Sequence, residues 1–271
     1  MKIFKRLLLV LVLLLSLVLV GCKKDDTPDD NTDDPNINDD NNQDNNNNNN
    51  QDDENKGYTL DSVKASVANI FEQYSTADHG HFKLTVTNGD DIAQSELIFN
   101  YYDGQDGVES LATIITNANG TMSCYITEEE AYINRYDKSK TIVSVTDDEG
   151  YEIIENYSFV KYAEYPAAVL CPSFLNACEI TSQEENKVSL SLIMIQYDIS
   201  EEEESEILSN VYYGILEKDE VTVDITFEAQ AVKTIKITLK GEATSVISLE
   251  FVSVSENEIA IEFPDFSEYT K

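Results

Sequence analysis

The side chains with chemical reach in this chain are few. Two histidines, His79 and His81, stand two positions apart, and four cysteines lie at Cys22, Cys124, Cys171 and Cys178. On an extended segment His79 and His81 project to one face, where they could hold a metal ion with Asp78. Zinc sites use three or four protein ligands, and the obvious third and fourth are missing here. The bland alternative is a histidine in the loop that ends a helix, beside one that starts a strand. A nucleophilic hydrolase needs a nucleophile, a base and an orienting group in contact. No G-x-S-x-G sequence occurs to supply the first. Neither C-x-x-C, G-x-G-x-x-G nor a Walker sequence is written. Carboxylates are everywhere, so no pair stands out as a glycosidase dyad. The expectation is a chain with no catalytic residue, no metal and no cofactor.

The cysteines divide into two groups. Cys124, Cys171 and Cys178 are odd in number, which allows one pair and a free thiol but writes no disulfide framework. On one continuous helix Cys171 and Cys178 would stand ~10 Å apart along the axis, too far to bridge. Cys22 has a different setting. Lys2, Lys5 and Arg6 precede an apolar run from Leu7 to Val20, which ends in Leu19-Val20-Gly21-Cys22. That run is 14 residues long, and a spanning helix needs about 20. The order matches a secretory signal, without the A-x-A-like site of plain secretion. Leu19 to Cys22 closely resembles the lipobox of bacterial lipoproteins. The resemblance implies a diacylglycerol on the Cys22 thiol and cleavage just before it. The product would be held on the outer face of a bacterial cell membrane. Two acyl chains suffice for stable anchoring.

Three regions follow: a signal at 1–21, a lipidated Cys22 with a tether to 56, and one globular domain at 57–271. Residues 23–56 hold 11 Asp, 12 Asn and a single aliphatic residue, Ile37. Such a tract cannot bury enough apolar surface to offset its ordering entropy, so it is expected to be a solvated spacer. Its Asp-Asp pairs lack the glycine and distal glutamate spacing of a calcium loop. The domain carries 40 acidic and 12 basic side chains, a net charge of −28. That excludes nucleic acid as a partner. The length suits one sizeable core.

Periodicity places the elements. Leu60, Val63, Val67, Ile70, Phe71 and Tyr74 predict a helix from Thr59 to Ser75, capped by Thr59 or Asp61 and ended by Asp78-His79-Gly80. Period two then predicts strands at Phe82–Val86, Ser95–Tyr102, Leu111–Thr116, Met122–Thr127, Ala131–Tyr136 and Thr141–Thr146. Asn88-Gly89 and Asn119-Gly120 are strong turn signals. Glu152–Phe159 reads as a strand or a connection. Pro166–Cys171 and Pro172–Cys178 read as two short helical pieces, each opened by its proline. Val188–Tyr197 returns to strand. Ser200–Tyr213 reads as a helix with a Ser200/Glu203 capping box and a stop at Gly214. Strands at Val221–Phe227, Thr234–Leu239, Ser245–Val252 and Glu258–Phe263 follow, with Pro264 closing the last.

The expected fold is α+β. It is a curved antiparallel sheet, a half-open barrel of about 9–11 strands, packed against an N-terminal helix and two later helical segments. A sheet wrapped over helices leaves room for an apolar cavity. Its candidate lining is Val169, Leu170, Phe174 and Leu175 from the insert and Leu208 and Val211 from the late helix. The order of elements resembles the LolA-type fold of bacterial lipoprotein carriers and the lipid-carrying lipoproteins of mycobacteria. The likeness rests on the opening helix, the mid-sheet insert, the late helix and the close Ile259-Ala260-Ile261-Glu262-Phe263-Pro264. It implies a hydrophobic ligand and no chemistry. The competing expectation is a structural, adhesive or accessory surface protein with a filled core. A protein partner is not indicated.

Overall fold

A computed structural model of the chain describes residues 57–102, 107–146, 148–199 and 205–271. The signal, Cys22, the tether, Ser200 and Glu203 lie outside these residues. The first helix, α1 (Leu60–Thr76), follows the predicted pattern. Val63, Val67, Ile70 and Tyr74 form its buried stripe, and Thr59 caps it in a capping box with Ser62. It ends at Ala77 in an extended conformation, ahead of Asp78-His79-Gly80. Gly80 serves a different need. It sits in the first strand, where a Cβ would lie 2.3 Å from the buried ring of Phe99. Only glycine admits that ring.

Eleven strands form one sheet. The first six are β1 (His79–Asn88), β2 (Asp91–Tyr101), β3 (Val108–Asn117), β4 (Gly120–Thr127), β5 (Glu130–Asn134) and β6 (Lys140–Ser144). The remaining five are β7 (Cys178–Glu184), β8 (Lys187–Leu192), β9 (Glu220–Glu228), β10 (Ala231–Lys240) and β11 (Ser245–Ser255). The spatial order is β6-β5-β4-β3-β2-β1-β11-β10-β9-β8-β7. Two antiparallel meanders are therefore zipped together through β1 and β11. The sheet is α+β in setting, curved and open at β6 and β7, not closed into a barrel. Gly89 and Gly120 take positive φ at the two predicted Asn-Gly turns.

Between β6 and β7 the chain must travel from one edge of the sheet to the other. Three helices carry it: α2 (Asp148–Asn156), α3 (Phe159–Val169) and α4 (Pro172–Asn176). A last helix, α5 (Glu206–Leu216), packs against α3. The helices and the inward strand residues share one continuous apolar core.

Several elements differ from the sequence reading. Residues 152–156 are helical, not extended. Pro166 does not open a helix; α3 starts upstream, where the Ser158 hydroxyl accepts from the Lys161 N–H and Phe159 and Ala163 are buried. Those anchors set the helix before the proline is reached, and Pro166 falls in its last turns. The insert ends at Asn176, and Cys178 already belongs to β7, an edge strand paired with β8. Strand β8 stops at Leu192, and Met194–Gln196 form a 3-10 turn. The late helix is capped by Ser205, which accepts from the Leu208 N–H, and runs past Gly214 to Leu216.

The close of the chain is not a strand. Residues 256–271 leave β11 and cross the outer face of the first meander as a strap. Asn100 of β2, fully buried, holds the near end. Its amide nitrogen donates to the Ile259 carbonyl (2.9 Å) and the Ser110 hydroxyl (2.8 Å). Its oxygen accepts from the Ile259 N–H (2.8 Å) and faces His79 Nδ1 (3.2 Å). Farther on, the Phe266 ring stacks on Tyr132 of β5 at 3.8 Å, with Tyr125 of β4 at 5.9 Å. Thr270 forms a parallel bridge to Thr141 of β6, and Lys271 reaches Glu130 at 2.8 Å.

Candidate functional site

The residues with chemical reach are occupied. His81 Nε2 lies 2.8 Å from Glu96, which also meets Lys83 at 3.1 Å. Burial pushes the Glu96 carboxyl up, but its hydrogen bonds from His81 and Lys83 outweigh that and hold it below the ordinary range. His79 faces Asn100, so the two rings have separate partners. Among the described residues no three His, Cys, Asp or Glu side chains converge as a metal site would require. Cys124, Cys171 and Cys178 are buried and unlinked by disulfides. Cys171 caps α4 and Cys178 opens β7, so the two do not share a continuous helix. Burial pushes the Cys124 and Cys178 thiols up to about 12, which keeps them protonated and poor nucleophiles.

The six side chains singled out for a cavity all belong to one buried cluster. Val169, Leu170, Phe174, Leu175, Leu208 and Val211 are all buried in the continuous apolar core. Phe174 packs edge-on against Tyr197 at 5.7 Å. Two recesses in the surface are lined by other residues. One, of about 660 Å³, is a broad surface recess beside β6, lined by Glu129, Glu130, Ile142, Val143 and Lys271 among others.

The other is a seam in the sheet. The ladder between β10 and β11 runs from Leu239↔Ser245 to Thr234↔Glu250 and stops there. Both strands continue: β10 begins at Ala231 and β11 extends to Ser255. Two bulges account for the parting. Lys233 is the extra residue of β10 against β9, between Val232↔Phe227 and Thr234↔Thr226. Val252 is the extra residue of β11 against β1, between His81↔Ser253 and Phe82↔Phe251. Each bulge bends and twists its strand, and the two occur side by side. The gap is a cleft of about 180 Å³, lined by Ile70, Tyr74, Val232, Lys233 and Phe251 among others.

Its floor is aromatic. The rings of Tyr74 and Phe251 lie 5.2 Å apart, and both meet Phe82, at 6.3 and 5.6 Å. Phe159 of α3 closes the group, 5.1 Å from Phe82 and 5.2 Å from Tyr74. These edge-on and tilted arrangements suit aromatic quadrupoles. The Tyr74 hydroxyl donates to the His81 carbonyl at 3.1 Å, beside the bulge. Burial pushes that hydroxyl well above the ordinary phenol range, against the pull of a hydrogen bond from the Ser253 backbone. It therefore stays protonated and serves as a fixed donor. Tyr74→Phe should cost about 1–3 kcal/mol, the cost of leaving a buried backbone acceptor unpaired. Urea unfolding checks this, and a midpoint equal to wild type would show that the bond contributes nothing.

Sequence reasoning missed the seam because bulges are not written as motifs. One signal was available. In β10 the buried residues Ile235, Ile237 and Leu239 alternate, but Val232 stands three positions before Ile235. That extra position is Lys233.

No protein-family model and no curated protein matches the chain. Among solved structures, it is similar to the lipoprotein LppX of Mycobacterium tuberculosis, at 8% identity, over 75% of this chain and 100% of that one, with a TM-score of 0.39. It is also similar to a LolA superfamily protein of Nitrosomonas europaea, at 8% identity, over 69% and 94% of the two chains, with a TM-score of 0.22. A DUF1329 family protein of Desulfovibrio piger matches at 6% identity, over 73% and 95%, with a TM-score of 0.21. The resemblance to LolA-type lipoproteins is thus weak, and at these values it carries no residue role to this chain.

Proposed function

We propose that this chain is a membrane-anchored extracytoplasmic lipoprotein that binds a hydrophobic ligand and transforms nothing. The observation that carries the reading is the seam, where a wide open sheet parts over a buried aromatic floor. The cleft is concave and mixed in lining, with Ile70, Tyr74, Val232 and Phe251 beside Gln73, Glu228, Lys233 and Ser253, a combination of apolar surface and placed polar groups that suits binding. The buried, protonated thiols and the occupied histidines offer no activated nucleophile. Anchoring rests on Cys22 and its lipobox-like setting, and the acidic tract that follows would hold the domain clear of the headgroups.

Two measurements test the two halves. Cells fed a labelled fatty acid should label this polypeptide, and Cys22→Ser should abolish the label and move the protein wholly from membrane to soluble fractions. An unlabelled product, or a C22S variant held as firmly as wild type, ends the anchoring proposal. For the ligand, chloroform–methanol extraction of the purified full chain removes non-covalent lipid and leaves a thioether-linked diacylglyceryl group in place. Release of an apolar compound, or displacement of a bound dye by apolar competitors, is expected. Neither occurring would favour a surface structural or adhesive protein, the reading that the close packing of Val169, Phe174 and Val211 supports.

A further inference from the structure

The two Asn-Gly turns are not equivalent. Asn88-Gly89 and Asn119-Gly120 are the chain's two Asn-Gly sequences, and each sits exposed at the tip of a hairpin. Asparagine is a labile residue, because the backbone nitrogen that follows it can attack its side-chain carbonyl. Glycine leaves that nitrogen unhindered and its own backbone free to turn. Protection then depends on whatever holds the two reacting groups.

Asn88 is held at both. Its Oδ1 accepts from the Ser245 hydroxyl at 3.1 Å, and the Gly89 N–H donates to the Thr244 carbonyl at 3.2 Å. Both partners come from the start of β11 and the turn before it, so the attacking nitrogen and the carbonyl under attack are tied to a neighbouring hairpin. Asn119 has no such tie. Its backbone N–H donates to Asn117 Oδ1 at 2.8 Å, and Asn117 Nδ2 in turn donates to the Tyr136 hydroxyl at 3.0 Å. These bonds shape the turn and leave the Asn119 carboxamide without a partner among the described residues. Gly120 belongs to the last pair of the β3–β4 ladder, Asn117↔Gly120, where a hairpin frays first.

We propose that Asn119 is a site of spontaneous deamidation and that Asn88 is protected from it. Solvent hydroxide takes the Gly120 amide proton. The nitrogen then forms a bond to Asn119 Cγ, and the Cγ–Nδ2 bond breaks. Nδ2 leaves as ammonia, taking a proton from water and returning the hydroxide. Water adds to either carbonyl of the resulting succinimide and opens the ring, which leaves aspartate or isoaspartate. The sum consumes one water, releases one ammonia and oxidises nothing. Each product adds a negative charge at residue 119. Isoaspartate also routes the backbone through the side-chain carbon. That lengthens a loop whose residues, Ala118 and Asn119, set the hairpin register, and the closing pair Asn117↔Gly120 would part.

The test incubates the full chain in detergent at mildly alkaline pH in heavy-oxygen water. Peptides are then mapped by mass spectrometry, and isoaspartate is read with an isoaspartyl methyltransferase. Label should enter at residue 119, largely as isoaspartate. At residue 88 it should enter at least about tenfold more slowly, the factor expected when two hydrogen bonds must break first. Ser245→Ala frees the Asn88 carbonyl and should speed that site several-fold while residue 119 keeps its rate; an unchanged rate at residue 88 overturns the protective tie. In urea, where no fold holds either site, the two should label at comparable rates. Label that enters at residue 88 as fast as at residue 119 in the folded chain overturns the inference. So does a folded chain that stays unlabelled at residue 119 while the unfolded one reacts. A rate difference that persists unchanged in urea belongs to the local sequence and overturns the structural assignment.

Discussion

Asn100→Leu should cost about 3 kcal/mol of stability and set the strap free. The side chain is fully buried, and its amide makes four hydrogen bonds, two of them to the backbone of Ile259, one to Ser110 and one to His79. Leucine has the same bulk but none of the donors or acceptors. The Ser110 hydroxyl and both polar groups of Ile259 would lose their partner, and each such loss costs about 1–3 kcal/mol when the group stays dry. Residues 256–271 have an alternative, because peeling away lets Ile259 find water. The cost is therefore shared between instability and release. Urea unfolding should show a lower midpoint, and limited proteolysis should cut the chain after Ser255 while the rest resists. A variant as stable and as protease-resistant as wild type would show that the strap is held by its contacts to β4, β5 and β6 without Asn100.

Phe82→Ala should cost about 3–5 kcal/mol, the range for removing a buried phenylalanine. Phe82 is 1% exposed and touches the rings of Tyr74, Phe159 and Phe251. Tyr74 and Phe251 also line the seam, so the void left by the ring would adjoin the existing cleft. An enlarged apolar void stays dry and accepts small apolar molecules. Benzene should then raise the melting temperature of the variant more than that of wild type, by mass action on the folded state. A loss below about 1 kcal/mol would mean that the neighbouring rings collapse into the space. An absence of benzene rescue would mean that the void is closed off from the seam.

Both substitutions fall on strands that were legible, at contacts that the strand pattern does not show. The meanders themselves were legible, because alternation in segments such as Leu111–Thr116 and the Asn119-Gly120 turn report a sheet with one wet face. The helix α1 was legible for the same kind of reason, through its stripe of Val63, Val67, Ile70 and Tyr74. Strand β7 was not, since its residues after Cys178 are mostly exposed and its only sheet partner is β8. An edge strand has little apolar pattern to show. Helix α2 was ambiguous because it is short and carries Gly150, where a Cβ would lie 2.1 Å from the Val145 backbone. Residues 258–263 alternate like a strand, yet Asn100 binds Ile259 across the sheet's outer face. A partner 159 positions away leaves no local trace. The six candidate cavity residues were chosen by their place on the insert and the late helix. Burial of that kind is shared by core and ligand lining, so position alone could not separate them.

The strap also sets an order of events. Tyr125 and Tyr132 belong to the first half of the domain, yet Phe263 and Phe266 reach them from its last stretch. A nascent chain would carry those tyrosines uncovered until Phe263 and Phe266 had been made. Contacts so distant along the chain form slowly. The first meander is therefore completed only after the second has been made, so the two halves of the sheet finish folding together.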